Sequence, residues 1–395
     1  MKAVIIGSGV AAVEAAVQLR KRQHDVEISL YTREKVLPYR RPALTRMISE
    51  ELSNVQFYLH DEKYYSEQNI HIFTDSPVVS IDRENKRILL DDGSAVEYDK
   101  LLIATGGKGF LPPIQGIELP QVLTLREHSD LTAINELLHE NINQVVVIGG
   151  GLLGLEIADN LTRKNSEVTV IEACPSMLPK QLDEEGAGIL VAAMEKNPRI
   201  KTLYGVFVSH IEGHHKVEGV RTKKGQHIPC DMVIVSAGMS SNFELAHQAK
   251  LEVSRAIQVD GGMRTSDPDI FAAGDCAAVN GIRYGMWNPA KEQGAVAGAN
   301  MAGENLLFEP EIYGARLVAF GTRLFSVGDI GLGEGPYKEV CRTDEVNLVY
   351  RKLFFKDSKA CGGILIGDIA AAQRMQKAVE SGFDVGQCEA TGIIC

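Results

Sequence analysis

Two glycine clusters, each followed by an acid at a similar remove, carry the chemistry open to this chain. One is Gly149-Gly150-Gly151-Leu152-Leu153-Gly154, a G-x-G-x-x-G run. Glu172 stands roughly 20 residues beyond it, the spacing of the dinucleotide fingerprint. The other is Gly7-Ser8-Gly9-Val10-Ala11-Ala12, with Glu34 placed in the same way and alanine in the third slot. The first glycine of such a run permits a tight turn. The second lets backbone approach a pyrophosphate, and the third, glycine or alanine, lets helix and strand pack closely. The helix that follows points unpaired N–H groups and a positive dipole end at the phosphates. The chemistry is therefore dinucleotide binding, in two copies.

Each copy needs a strand, a turn, a helix and a second strand to hold it. Residues 145–148 are a β-branched apolar run. A helical stretch with Glu156 and Ala158 follows, and residues 168–171 form the second strand, ending at Glu172. Residues 2–7 and 26–31 play the same parts for the first copy, around Val13, Ala16, Val17 and Leu19. Two strand-to-glycine turns recur, one at Ala104-Thr105-Gly106 and one at Ala237-Gly238. Residues 265–275 read as a turn and a short strand ending in Gly274 and Asp275, an acid at the ligand-bearing end of an α/β strand. Residues 70–98 and the stretch up to 229 read as short strands and hairpins. Helices are expected near 128–140, 184–196 and 289–303. The tail, 308–395, alternates strands at 348–355 and 363–366 with a helix at 369–381. Residues 33–46 carry Arg33, Lys35, Arg40, Arg41 and Arg46 against Glu34, with two prolines that exclude a plain helix. This run reads either as a solvated loop or as a source of arginine for a pyrophosphate.

Composition bounds the rest. The chain has 395 residues, 45% hydrophobic and 24% charged, which suits a soluble protein of two or three domains. A net charge of −11 argues against nucleic acid as a partner. No apolar run reaches the length of a membrane span. The N-terminal residues fit a strand–turn–helix better than a signal peptide. Seven cysteines, an odd number with no C-x-x-C pair, argue against a disulfide framework and for a reducing cytoplasm. His210, His214 and His215 lack cysteine or carboxylate companions at ligand spacing, so they read as polar turn residues and no metal is expected.

Gly7–Ala12, Ala104-Thr105-Gly106, Gly149–Gly154 and Ala273-Gly274-Asp275, in this order, resemble the pyridine nucleotide–disulfide oxidoreductase superfamily. Pro38-Tyr39-x-Arg41-Pro42-x-Leu44, the stretch 178–183 and the ending 353–368 look like the NADH:rubredoxin oxidoreductases and the flavin portion of nitrite reductases. The resemblance implies an α/β fold of two Rossmann-like, three-layer domains with parallel sheets, plus a small α+β C-terminal domain. The FAD domain would be discontinuous, 1–108 and 236–307, with the NAD domain inserted at 109–235 and the tail domain at 308–395. It further implies that Glu34 holds the adenosine ribose and Arg41 the pyrophosphate of FAD. Val79 would meet adenine through its backbone. Thr105 would line the flavin crossover, Arg126 would reach the FAD, and Asp275 would bind the ribityl chain. Trp287 and Gln293 would lie near the isoalloxazine ring and Glu156 near the nicotinamide. Glu172 would take the ribose 2′-OH of NADH. Related ferredoxin reductases carry lysine where this chain has Arg46. Arginine does not give up its proton in proteins, so Arg46 is left with charge stabilisation.

Disulfide-, peroxide- and CoA-disulfide-reducing members need cysteine beside the flavin, but residues 1–173 contain none. Cys276 reads as a buried structural thiol, and Cys388 and Cys395 as incidental thiols of an exposed tail or a mobile redox pair. The expected reaction is hydride transfer from NADH to FAD, then electron delivery to a small acidic iron–sulfur carrier such as rubredoxin. The residues after Glu172 offer no arginine for a 2′-phosphate, so NADH should be preferred to NADPH. Residues 33–46 and Arg20-Lys21-Arg22 are candidate basic islands for docking. The tail could form a homodimer interface. The alternatives are an NADH oxidase, a flavin subunit of a larger redox complex, or an NADH-responsive flavin-containing interaction protein.

Overall fold

The computed structural model describes residues 1–140 and 142–393. The chain falls into two compact units. The first comprises Met1–Phe110, Arg126–Leu131 and Met239–Pro310; the second comprises Leu111–Leu125, Thr132–Gly238 and Glu311–Cys395.

The first unit is built on a five-stranded parallel sheet. Its order is Ile270–Ala272, Lys100–Ile103, Lys2–Ile6, Glu27–Tyr31, Ile70–Phe73. Val4, Ile5, Leu101 and Leu102 are almost wholly buried, as an apolar strand covered on both faces must be. Helix Val10–Arg22 and helix Trp287–Met301 touch backbone to backbone. A Cβ on Gly294 would lie 2.3 Å from the Ala11 carbonyl oxygen, and one on Gly298 2.2 Å from that of Ala15. Small residues four apart on both helices thus fix how closely they approach, and so fix the helix that begins at the first glycine turn. Arg20 is 7% exposed and donates to the carbonyl oxygens of Gln23, His24, Val26, Gln68 and Asn69, ending that helix with its charge fully engaged. The hairpin expectation for 70–98 holds for the antiparallel strands Val78–Asp82, Arg87–Leu90 and Ala95–Glu97. Ile70–Phe73 is instead a parallel edge strand. A four-residue alternating run fits either arrangement, and its partner lies about forty residues upstream, beyond the reach of local pattern.

The second unit holds a matching sheet, ordered Ile200–Tyr204, Glu167–Glu172, Gln144–Ile148, Met232–Val235, Val122–Leu123, again parallel throughout. Ile200–Tyr204, also expected in a hairpin, belongs here. Val208–Glu212, Gly219–Thr222 and His227–Pro229 form the antiparallel sheet that the turn signals indicated. The tail is a five-stranded antiparallel sheet from Ala315–Ala319 to Lys359–Ile366, with helix Ala372–Ser381 burying Met375, Ala378 and Val379. Asp183 joins tail to core. It caps helix Glu184–Met194 through Gly186 N–H (3.0 Å) and accepts from Tyr350 Oη and Lys352 Nζ, each at 2.7 Å. Burial opposes the Lys352 charge, but Asp183 and a second partner, Glu339 at 2.8 Å, more than offset it and hold the ammonium above its usual range. Cys388 is 1% exposed in helix Val385–Ala390, contrary to the expectation of an exposed tail, and burial pushes its thiol up. Cys395 lies outside the described residues. Among the described residues, no helix is long and apolar enough to cross a membrane.

Gly298→Ala should lower the melting temperature, because the added methyl meets a backbone carbonyl and overpacking of this kind costs roughly 1–3 kcal/mol. Gly188→Ala is the control. It lies on an exposed helix face where a Cβ meets nothing within 4 Å, so thermal melting should show no loss of stability.

Candidate functional site

Both glycine turns are made by one device. At the end of Lys2–Ile6 the chain turns through Gly7 with φ +115°, and a Cβ there would stand 2.3 Å from the Ala104 carbonyl oxygen. At the end of Gln144–Ile148 it turns through Gly149 with φ +116°, and a Cβ would stand 2.3 Å from the Ser236 carbonyl oxygen. In each case the turn is pressed against the strand-to-glycine turn next to it, 104–106 in the first unit and 236–238 in the second. The second glycine behaves oppositely. A Cβ on Gly9 or Gly151 meets nothing within 4 Å, so bare backbone faces open space at the start of a helix. The third slot differs between copies. Gly154 admits no Cβ, since one would lie 2.0 Å from Gly149 O, whereas Ala12 is fully buried in the corresponding place.

Around the first turn lies a cleft of about 330 Å³, lined among others by Gly7, Gly9, Glu34, Arg41, Ala104, Thr105 and Gly106. Glu34, just past Glu27–Tyr31, accepts from Tyr39 Oη and from Arg41 Nη2, both at 2.6 Å. Arg41 also donates to the Arg126 carbonyl at 2.6 Å. Burial opposes the charge on Arg41, but Tyr39, Glu34 and Glu127 raise its pKa overall, so it stays cationic. Burial pushes the Tyr39 phenol far up, so Tyr39 remains a donor. Arg126 forms an ion pair with Asp275 and donates to Gly107 O at 3.1 Å. Thr105 and Asn242 exchange hydrogen bonds, Oγ1 to carbonyl at 2.8 Å and Nδ2 to carbonyl at 2.9 Å. Gln293, 1% exposed, accepts from Gly274 N–H at 2.8 Å and so holds the turn before Asp275. Trp287 opens helix Trp287–Met301. Val79 is half-exposed on its strand, and Arg46 is exposed and paired with Glu50 at 2.8 Å. Cys276 is fully buried, with its thiol 3.3 Å from the carbonyl oxygens of Ile103 and Ala273.

In the second unit, Glu172 accepts from Gly150 N–H at 2.7 Å and Cys174 N–H at 2.8 Å, which fixes its carboxylate beside the glycine turn. Leu178, buried at φ +50°, returns its N–H to Gly150 O at 3.0 Å. Glu156 is half-buried in helix Leu152–Arg163, and Gly238 turns at φ +115°. Sequence reasoning missed Tyr39 and Asn242 as parts of the first site. Tyr39 was visible inside the Pro38–Leu44 motif; nothing in the spacing marked Asn242.

Residues 1–304 match the model of the family described as pyridine nucleotide-disulphide oxidoreductase, and 315–383 match the rubredoxin NAD+ reductase C-terminal domain. The chain belongs to the pyridine nucleotide-disulphide oxidoreductase family. It is an oxidoreductase of that family, whose members pair a flavin with a pyridine nucleotide. It is 34% identical over 402 residues to an NADH oxidase of Methanocaldococcus jannaschii, covering 95% of this chain and 89% of that protein. It is 30% identical over 393 residues to the nitrite reductase [NAD(P)H] of Bacillus subtilis, covering 99% of this chain but only 48% of that protein. The chain thus spans about half the length of the nitrite reductase. The NADH:rubredoxin oxidoreductase of Clostridium acetobutylicum superposes with a TM-score of 0.82 at 28% identity, covering 97% of this chain and 96% of that one.

The two glycines of each turn should separate in a variant test. Gly151→Ala adds a methyl to open space at φ −80°, so the melting temperature should hold while affinity for the nucleotide falls roughly tenfold or more. Gly149→Ala forces a left-handed alanine onto Ser236 O and should lower both, as thermal melting and nucleotide titration would show.

Proposed function

We propose that this chain is an NADH-dependent flavoprotein reductase that passes electrons to a small acidic iron–sulfur carrier, with rubredoxin first among the candidates. One observation carries the reading: two glycine cradles of the same build stand in a chain with no cysteine in residues 1–173. The matched rubredoxin NAD+ reductase C-terminal domain supports the choice of carrier.

In this reading residues 1–108 and 236–307 bind FAD, 109–235 bind NADH, and 308–395 form the tail domain. The residues fit such ligands. Bare backbone at Gly9 and Gly151 suits a pyrophosphate, and a carboxylate stands at or just past the end of the second strand of each copy. Bound FAD supplies the chemistry of accepting a hydride and releasing single electrons. The chain's own residues orient and select. Tyr39 holds Glu34 toward an adenosine ribose, Arg41 and Arg126 supply cations for the pyrophosphate, and Asp275 meets the ribityl chain. Ala12 lets the first helix close on its strand. Val79 offers backbone to adenine, Trp287 and Gln293 border the flavin ring, and Arg46 contributes charge alone. Glu156 positions the nicotinamide. Exposed free thiols at Cys174 and Cys341 support a reducing, cytoplasmic setting.

The docking island expected from sequence is smaller than it looked. Arg20 is buried, Arg22 pairs with Glu304 at 2.8 Å, and Arg33, Arg41 and Arg46 each have an acidic partner. Lys21 and Arg40 remain exposed. They would steer an acidic carrier, so its reduction should slow as salt rises.

Glu172 makes the nucleotide preference testable. Its fixed carboxylate would face the 2′-phosphate of NADPH, so kcat/KM for NADH should exceed that for NADPH by at least about tenfold, and Glu172→Ala should narrow the gap. A higher kcat/KM for NADPH in the unaltered protein would refute the assignment. For the acceptor, the protein is reduced anaerobically with NADH and mixed with rubredoxin, ferredoxin, a flavodoxin-type protein or O₂ while flavin reoxidation is followed. Rubredoxin should react fastest. If no carrier outpaces O₂, the carrier reading fails and an oxidase, which the similarity to an NADH oxidase over 95% of the chain favours, replaces it.

A further inference from the structure

We infer that Lys352, in the tail, is a positioning residue for the glycine cradle of the second unit, acting through the segment that joins Glu172 to Asp183; this rests on the reading of that unit as the NADH site. Lys352 is 7% exposed on strand Val349–Lys356, and a lysine so buried is rare unless it is paired. Glu339, on the adjoining strand Lys338–Asp344, lies 2.8 Å from its ammonium and balances the charge within the tail sheet. The other carboxylate, Asp183 at 2.7 Å, lies outside the tail, at the start of helix Glu184–Met194. Apolar residues often replace a buried ion pair without loss of stability, so stability alone does not account for this one. What the pair holds in place does.

Residues 173–183 are an irregular segment between strand Glu167–Glu172 and helix Glu184–Met194, so their course is set by what grips them. At the far end, Gly186 N–H reaches one Asp183 carboxylate oxygen at 3.0 Å, and Tyr350 Oη and Lys352 Nζ reach the other at 2.7 Å. From there the hydrogen bonds run back to the cradle. Gln181 N–H and Leu182 N–H both donate to Leu178 O, at 2.8 and 2.9 Å, and Leu178 N–H donates to Gly150 O at 3.0 Å. Leu178 is wholly buried at φ +50°, a left-handed conformation that leucine keeps only where its surroundings enforce it. The buried Met177 closes on the same glycine, since a Cβ on Gly150 would lie 2.4 Å from its Sδ. Gly150 is thus gripped at its N–H by Glu172 and at its carbonyl by Leu178, one residue before the bare backbone of Gly151. The tail fixes one end of a segment whose other end sets the glycine turn and Glu172.

Calorimetric titration of the flavin-loaded protein with NAD⁺ tests the assignment, alongside thermal melting and steady-state NADH oxidation with ferricyanide as acceptor. Lys352→Met removes the cation and keeps the apolar stem. It should weaken NAD⁺ roughly three- to tenfold and raise KM for NADH by a similar factor at constant kcat. Lys352→Arg keeps the charge and should bind NAD⁺ as the unaltered protein does. A Lys352→Met protein that melts lower yet binds NAD⁺ unchanged overturns the inference and leaves Lys352 a structural residue. A fall in kcat at constant KM overturns it too. If Lys352→Met does not fold, Tyr350→Phe decides, because it withdraws one donor from Asp183 and keeps the ring. NAD⁺ affinity should then fall roughly two- to threefold, and an unchanged affinity overturns the inference. If the unaltered protein does not bind NAD⁺, the reading of the second unit falls first and the role of Lys352 with it.

Discussion

A backbone-to-backbone approach that leaves no room for a Cβ underlies both halves of this protein. At Gly7 and at Gly149 the turn is pressed to within 2.3 Å of a carbonyl oxygen, measured from where a Cβ would stand. That closeness brings two adjacent strand ends together, and the ends of adjacent parallel strands are where an α/β sheet offers a crevice to a ligand. The φ angles of +115° and +116° agree as closely as the distances. Two turns with one solution are what two copies of the same strand–turn–helix unit require.

The first site adds a second theme, charge balanced inside the protein. Glu34 with Arg41 and Asp275 with Arg126 are acid–base pairs at two places in one unit, and the Arg126 carbonyl accepts from Arg41, so the pairs are linked through a single residue. Removing one partner of such a pair would leave an uncompensated, partly buried charge, which is costly. The second site is leaner. Its Glu172 accepts from the backbone N–H groups of Gly150 and Cys174. The difference matches what each is proposed to do, holding a resident cofactor in one case and exchanging a substrate in the other.

Much of this was legible in the sequence because it depends on local rules. Glycine spacing, apolar runs and terminal acids placed both turns and the sheets around them. What escaped depends on distant partners. Ile70–Phe73 is a short alternating run whose register is set by Glu27–Tyr31, so nothing local separated it from a hairpin. Arg20 looked like part of a basic surface until five carbonyl oxygens from chain segments up to 49 residues away closed on it. Asn242 pairs with Thr105 across 137 residues. A position near the C-terminus suggests an exposed or mobile Cys388, yet a short capped helix packs it against the tail sheet.

The discontinuity of the first unit has a consequence for how the protein is made. Strand Lys100–Ile103 needs Ile270–Ala272 as its outer neighbour, and helix Val10–Arg22 needs the glycines of Trp287–Met301. The parallel sheet of the second unit is complete once Met232–Val235 has been synthesised. On a ribosome adding about 5–20 residues per second, the first helix and the outer edge of its sheet therefore wait some tens of seconds for the segments that cover them. The part of the chain that emerges first is among the last to finish folding, and its unpaired strand edge is the stretch that nascent-chain chaperones would have to guard.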